Sequence, residues 1–485
     1  MVRIVLLLGS VLFAGALLTP AVTPPVMAQA DERPNFVVVL VDDMRWDDFG
    51  AGGHPFVRTP NIDRVAAEGA MFLNAFTTTP LCSPARASIL TGLYAHTNGI
   101  IDNTNRRGHD LNTFPRQLDN SGYDTAFVGK WHMGTDGTPR PGFDTWVSLI
   151  GQGTNTDPEV YVGAERMTFE GHVTDVLTDH AVSFLQTERD EPFVLFFSQK
   201  AVHPDPALGL VEGGFIAADR HLGIYDDEPI MRPPSAGVPP LDKPALMRRV
   251  EGLPPLGLDT STTDATIRDR LEMVTGVDES VGRLLEVLER TGELDNTFFV
   301  VTSDHGYFYG EHGLNAQRRL AYEASVRIPM VVRYPSLIER GTRPEQMVLS
   351  IDLASTILDL AGQEPEDPMQ GATLLPILRG ENPDGWRTSL LIEHHSDPDN
   401  YLRDAPGPGR ASEFSRVLSM GYKAVRTERY KYIRYTDLAG VDELYDLESD
   451  PHEMDNIIGV PEAAQLLDDM QTELARLLER TDQGL

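Results

Sequence analysis

The sequence predicts an α/β fold with a large, mostly parallel central sheet flanked by helices, followed by a smaller α+β part with an antiparallel sheet. Three observations predict it. Phe36 to Val41 is an unbroken apolar run with β-branched residues, as a strand buried on both faces requires. Further runs of that kind alternate with stretches of helical periodicity, the pattern of strand-helix-strand units. Beyond about residue 380 the runs become short and closely spaced, which suits hairpins rather than crossovers.

Residues 1–30 read as an export leader: Arg3 is basic, Ile4 to Leu18 is apolar, and Ala28-Gln29-Ala30 offers a small-residue cleavage site. Pro20, Pro24 and Pro25 end the apolar run too early for a comfortable membrane span. No later stretch is long enough to cross a bilayer, so the expectation is a periplasmic or secreted protein without membrane attachment after cleavage. Residues 31–380 are expected to form the large domain and 381–485 the C-terminal one.

After the first strand, Thr59-Pro60 opens a helix through Ile62, Val65 and Ala66 that stops at Gly69. Strands are expected at Thr125 to Gly129, Phe193 to Ser198 and Phe298 to Thr302. The clearest helix carries Ile267, Leu271, Val274, Val277, Val281, Leu284 and Leu288 at three- and four-residue steps, and Gly292 ends it. His203 to Asp264 is rich in proline and glycine and reads as an ordered surface excursion. A helix follows at Asp352 to Leu360. Short strands are expected at Tyr422 to Arg426, Tyr430 to Tyr435 and Glu443 to Asp446. Leu466, Met470, Leu474 and Leu477 mark a closing amphipathic helix.

The chain holds 41 basic and 73 acidic residues, a net charge of -32. Such a surface repels nucleic acid and anionic lipid, so neither is an expected partner. Cys82 is the only cysteine, which leaves no internal disulfide.

Four polar groups fall just past the C-terminal ends of expected strands: Asp42-Asp43, Lys130 with His132, His203, and Asp304-His305. Ligands bind along that edge of an open α/β sheet, so these distant residues should converge. The carboxylates are hard ligands for Ca²⁺ or Mg²⁺, and the lysine and histidines suit an anion held against such a cation. Cys82 precedes Ser83-Pro84-Ala85-Arg86 at the start of an expected helix, where the dipole favours negative charge. That environment describes an activated thiolate; the bland alternative is an inert buried cysteine.

Cys82-Ser83-Pro84-Ala85-Arg86 with Leu90-Thr91-Gly92 resembles the signature of the formylglycine-dependent sulfatases. Segments similar to that family follow in the same order: Pro34-Asn35-Phe36 through Asp43, Thr59-Pro60-Asn61-Ile62-Asp63, Gly129-Lys130-Trp131-His132, Thr302 to Gly306 with Gly310 to Gly313, and Tyr430-Lys431-Tyr432 with Leu444 to Leu447. The resemblance implies an alkaline-phosphatase-like fold and oxidation of Cys82 to formylglycine (3-oxoalanine) by a separate maturation enzyme. One hydroxyl of the hydrated aldehyde then attacks sulfur, the alcohol leaves, and the other hydroxyl collapses to expel sulfate. It implies a cation, Ca²⁺ first with Mg²⁺ or Mn²⁺ as substitutes, held by Asp42, Asp43, Asp304, His305 and residue 82. Arg86 and His132 are to orient and activate the nucleophile, Lys130 to bind sulfate, and His203 to protonate the leaving oxygen. Arg318 stands where the family commonly has a sulfate-contacting lysine, and His305 where many members have asparagine.

The expected substrate is a sulfated carbohydrate or other small sulfate ester. The rival readings are a phosphonate or phosphate ester hydrolase of the same superfamily and a non-catalytic carbohydrate-binding relative. The excursion after His203, Gly151-Gln152-Gly153 and the segment His394 to Arg410 are expected to wall the pocket. Which sulfate ester fits, and the oligomeric state, are not written in these motifs.

Overall fold

A computed structural model describes residues 33–482 apart from 105–110, 135 and 397–412. The expected leader and most of the expected wall from His394 to Arg410 lie outside these residues. Among the described residues no helix is long and apolar enough to cross a membrane.

The strands are β1 (Asn35–Val41), β2 (Ala70–Met71), β3 (Asn74–Phe76), β4 (Asp124–Gly129), β5 (Thr145–Leu149), β6 (Glu159–Val162), β7 (Glu165–Thr168), β8 (Phe193–Ser198), β9 (Thr297–Ser303), β10 (Met330–Arg333), β11 (Met347–Leu349), β12 (Ser389–His394), β13 (Tyr422–Thr427), β14 (Tyr430–Tyr435) and β15 (Glu443–Asp446). Nine of them form one sheet in the order β2-β10-β9-β1-β8-β4-β5-β6-β7. Its centre, β9-β1-β8-β4-β5, is parallel, while both margins turn antiparallel. The expected mostly parallel sheet is thus a parallel centre with antiparallel edges. Those edges escaped the sequence reading because β2 has two residues and β7 is exposed throughout.

Burial on both faces is why β1 carries no alternation. Val37, Val39 and Val41 pack into one core with α1 (Pro60–Glu68), α3 (Val173–Leu185) and α4 (Asp264–Thr291). Phe36, Val38 and Leu40 pack into the other with α2 (Cys82–Thr91) and α5 (Asp352–Leu360). α4 begins at Thr263, whose side chain accepts from Thr266 N, and ends at Gly292 in the left-handed region with φ 80°.

The antiparallel sheet runs β12-β13-β14-β15. It packs with α6 (Ala464–Asp482) in a third core that also takes Phe76, Leu314, Tyr322 and Met347 from the preceding part. The described residues cluster as one compact unit. β12 was not foreseen; it completes the sheet by pairing Ser389 to His394 with Thr427 to Tyr422. The excursion after His203 contains only short helical turns at Asp219–His221, Pro244–Met247 and Leu258–Thr260.

Register fixes what leaves the sheet together. Val41 pairs with Ser303, Leu40 with Ser198, and Gly129 with Ser198. Asp42, Asp304 and Lys130 therefore emerge side by side at the C-terminal edge, with Gln199 and Lys200 between them.

Candidate active site

The loops leaving β1, β8 and β9 are stitched to one another before any side chain acts. Asp42 N donates to Ala201 O at 3.0 Å, Val202 N to Asp42 O at 2.7 Å, and Met44 N to Ser303 Oγ at 3.0 Å. Asp43 sits in the left-handed region at φ 63°, a conformation its short polar side chain tolerates, and its N–H meets Asp304 Oδ1 at 3.0 Å. β4 approaches β8 closely through Gly129, and Lys130 N donates to Ser198 O at 2.9 Å.

Cys82 opens α2, fully buried at this edge. Ligand atoms of Asp43, Cys82 and His305 lie within 4.8 Å of one another, and so do those of Asp42, Cys82 and Asp304. Arg86, one turn along α2, spans two of the carboxylates: Nε lies 3.2 Å and NH2 3.1 Å from Asp304 Oδ2, and NH2 lies 3.3 Å from Asp42 Oδ1. Its NH1 donates to Lys130 O at 2.6 Å. The Lys130 ammonium rests on Asp42 Oδ2, and Arg318 Nε is 3.0 Å from Asp43 Oδ1. His132 is buried beside Cys82, its Nδ1 without a hydrogen-bond partner. His203 directs Nδ1 at Pro204 O, 2.8 Å away, and leaves Nε2 buried without a partner. The sequence candidates thus occupy one locus, with Arg318 among them.

Charge at this locus is tightly balanced. Burial pushes the Cys82 thiol up, yet Lys130 and His305 hold it well below the usual thiol range. Burial likewise opposes the lowering of Asp42, which Lys130 and Arg86 hold far below the usual carboxylate range. Burial raises Asp43 despite Arg318 and His305. It lifts Asp304 to about 7 against the pull of His305, with Asp42 adding to the rise. His305 is raised to about 9: burial opposes this, and Asp304 and Cys82 outweigh it. Burial and then Lys130 depress both His132 and His203, so each imidazole is neutral.

The residues fit a hard divalent cation. Asp43 Oδ2 and His305 Nε2 are buried without hydrogen-bond partners, and Asp42 Oδ1 and Asp43 Oδ1 accept no hydrogen bond although they face the guanidinium groups of Arg86 and Arg318. His305 Nδ1 lies 3.0 Å from Gly306 O, so its neutral form donates there and offers the Nε2 lone pair. Three carboxylates with one imidazole make an oxygen-rich set suited to Ca²⁺ or Mg²⁺.

Three contributors were not foreseen. Lys200 is buried, donates to His203 O and Pro204 O, and is lowered to about 7 by burial and by Lys130. Asn103 Oδ1 accepts from Ser83 N at 3.0 Å and satisfies a free N–H of the first turn of α2. Arg270 reaches Asp43 O from α4. Its signal was legible: an arginine inside the apolar stripe of Ile267, Leu271 and Val274. Concavity alone would misplace the site, because a cavity of about 350 Å³ lined by Arg45, Trp46, Glu311, His312, Arg327 and Glu453 holds none of the candidate residues.

Comparison with known proteins matches residues 34–363 to the sequence model of the Sulfatase family, and residues 413–480 to that of the N-sulphoglucosamine sulphohydrolase C-terminal region. The chain is 32% identical to an N-acetylglucosamine-6-O-sulfatase of Bacteroides thetaiotaomicron, over 93% of this chain and 86% of that protein. It is 29% identical to the N-acetylglucosamine-6-sulfatase of Homo sapiens, over 89% and 82%. A solved structure of a protein in complex with its substrate D-glucosamine-2-N,6-O-disulfate superposes with a TM-score of 0.78 at 29% identity, covering 93% of this chain and 98% of that one.

Proposed function

Since the chain belongs to the sulfatase family and is a sulfuric ester hydrolase, we propose that it removes the 6-O-sulfate of a glucosamine-type sugar, with Cys82 as the position of the nucleophile. The observation that carries this is the convergence of Asp42, Asp43, Asp304 and His305 on Cys82 in one buried locus. The names of the relatives and the sugar disulfate bound in the structural neighbour support the choice of substrate.

Asp42, Asp43, Asp304, His305 and residue 82 hold the cation in this reading, with Ca²⁺ as first choice and Mg²⁺ or Mn²⁺ as substitutes. Bound there, the cation supplies Lewis acidity toward a sulfate oxygen, and formylglycine at residue 82, made from Cys82 by a separate maturation enzyme, supplies a hydrated aldehyde as nucleophile. Arg86 keeps Asp42 and Asp304 aimed at the centre and adds positive charge facing the sulfate. Lys130 and Arg318, each already paired with a carboxylate, complete an electropositive cradle for the equatorial sulfate oxygens.

His132, buried beside residue 82 and shifted toward its neutral form by burial and Lys130, takes the proton of the attacking hydroxyl. His203 faces the leaving oxygen through Nε2, since Nδ1 is committed to Pro204 O. Burial and Lys130 keep it neutral in the free protein, and the negative charge of a bound sulfate ester raises its basicity so that Nε2 can carry the proton. A sugar alkoxide is a poor leaving group, so delivery of that proton matters more for a sugar than for an aryl sulfate.

The same reading makes residues 31–380 the catalytic part and 381–485 the C-terminal part, supported by family matches that end at 363 and resume at 413. It makes residues 1–30 a removed leader and the protein periplasmic or secreted, supported by the leader pattern and by an extracellular sulfatase among the relatives.

The test is turnover of glucosamine 6-O-sulfate and N-acetylglucosamine 6-O-sulfate beside 4-O- and 2-O-sulfated sugars, an aryl sulfate and a matched aryl phosphonate ester, using protein co-expressed with a maturation enzyme. A clear preference for the 6-O-sulfated sugars, with an aldehyde at residue 82 by peptide mass spectrometry, is the expected result. Faster turnover of the phosphonate, or full activity with only thiol at residue 82, overturns the reading.

A further inference from the structure

Arg270 lies on the buried face of α4, fully shielded from solvent and far in sequence from every motif of the site. Burying a guanidinium is costly unless its donors are satisfied, so what satisfies them shows what the residue serves. NH2 donates to Asp43 O at 2.6 Å and NH1 to Val202 O at 3.3 Å. The guanidinium carbon lies over the Tyr307 ring, 3.7 Å from its centroid. These three contacts fall on the three loops that carry the candidate chemistry. Asp43 presents a cation ligand after β1, Val202 immediately precedes His203 after β8, and Tyr307 is two residues beyond His305 after β9.

We propose that Arg270 is a positioning residue that locks the cation carboxylate of Asp43 and the imidazole of His203 into a single register. The inference rests on the cation and proton-donor roles given above and adds what holds them together. Asp43 turns the chain sharply through the left-handed region at φ 63°, so the direction of its carbonyl, which Arg270 holds, also sets where its carboxylate points. The two loops already exchange Asp42 N to Ala201 O and Val202 N to Asp42 O. Those bonds set their separation. Arg270 adds the connection to a long helix that packs against the sheet, so that neither loop can rotate independently. A planar fork with several fixed donors can meet two carbonyls at once, whereas a lysine ammonium on a flexible stem holds one geometry poorly.

Two readouts follow that loss of core packing alone does not move. Ca²⁺ affinity reports the Asp43 side, and the ratio of kcat/KM for an aryl sulfate to that for a 6-O-sulfated sugar reports the His203 side. In the full-length, matured protein, Arg270→Met is expected to weaken Ca²⁺ binding by calorimetry at least about tenfold, the scale on which residues supporting metal ligands act. It is expected to cut sugar sulfate turnover about tenfold more than aryl sulfate turnover. Arg270→Lys is expected to fall between wild type and Arg270→Met in both. If Arg270→Met does not fold, Arg270→Lys carries the test by itself. A folded variant with wild-type Ca²⁺ affinity and a wild-type substrate ratio overturns the clamp. Wild-type protein that binds no Ca²⁺ overturns the underlying cation site instead, so the two failures are distinguishable.

Discussion

Gly129→Ala should break the site without touching any side chain in it. Gly129 ends β4 at φ 127°, and a Cβ placed on it falls 1.8 Å from Ser198 O and 2.6 Å from that carbonyl carbon, both backbone atoms of the neighbouring strand. Ordinary contact requires more than 3 Å, so β4 and β8 must part by over about 1 Å at their C-terminal ends. The bonds that depend on this approach are Lys130 N to Ser198 O at 2.9 Å, Arg86 NH1 to Lys130 O at 2.6 Å and Ser198 Oγ to Lys130 O at 2.8 Å. Losing them in a buried setting at about 1 kcal/mol each, with the cost of the backbone conformation, gives about 4 kcal/mol or more. Moving Lys130 away from Asp42 by such a distance should also lower turnover by about 100-fold.

Gly122 at the other end of the same strand provides the control, because its φ is 86° but nothing lies within 4 Å of an added Cβ. Gly122→Ala therefore carries only the backbone cost of about 1–2 kcal/mol and should retain normal turnover. Urea unfolding followed by circular dichroism and kcat/KM on an aryl sulfate read both effects. If Gly129→Ala is as stable as Gly122→Ala and turns over normally, the close approach of β4 and β8 is not what positions Lys130.

Asp304→Asn keeps an oxygen for Asp43 N and His305 N but turns an amide toward Arg86 and removes a charge from the cation set. Ca²⁺ affinity should fall about 10- to 100-fold with turnover falling in parallel, and calorimetry showing unchanged binding rules out Asp304 as a ligand. His312 is buried and pushed down to about 3, by burial first and then by Lys243, His452 and Lys431. It stays neutral in the folded chain while the unfolded chain takes a proton below about 6.5, so its contribution is complete above that pH and lost as pH falls through it. By pH 4.5 the loss is about 3 kcal/mol. His312→Asn suits the left-handed φ of 56° at this position and should lose less stability than wild type between pH 7 and 4.5. Parallel denaturation curves for the two proteins across that range contradict this assignment.

Much of the chemistry was legible in local patterns. β8, α5, β14 and β15 match the expected ranges to the residue, because an apolar run bounded by turn residues, or an apolar stripe at helical spacing, is a local property. The placing of Asp42-Asp43, Lys130 and Asp304-His305 just past strand ends was equally local, and a parallel sheet turns that position into proximity. The two-residue β2 was too short to show such a pattern, and β7, exposed along its whole length, has no buried face to impose one.

The sequence by itself determined which chemical groups are present and which end of each strand they follow. The tertiary structure decided their partners: Arg86 to Asp304 spans 218 positions, Asp43 to Asp304 spans 261, and Arg270 to Asp43 spans 227. Charge interactions in a dry interior depend on separations of a few ångströms and on what shields them from water. Those quantities exist only after the loops have been packed against one another, so no window of sequence contains them.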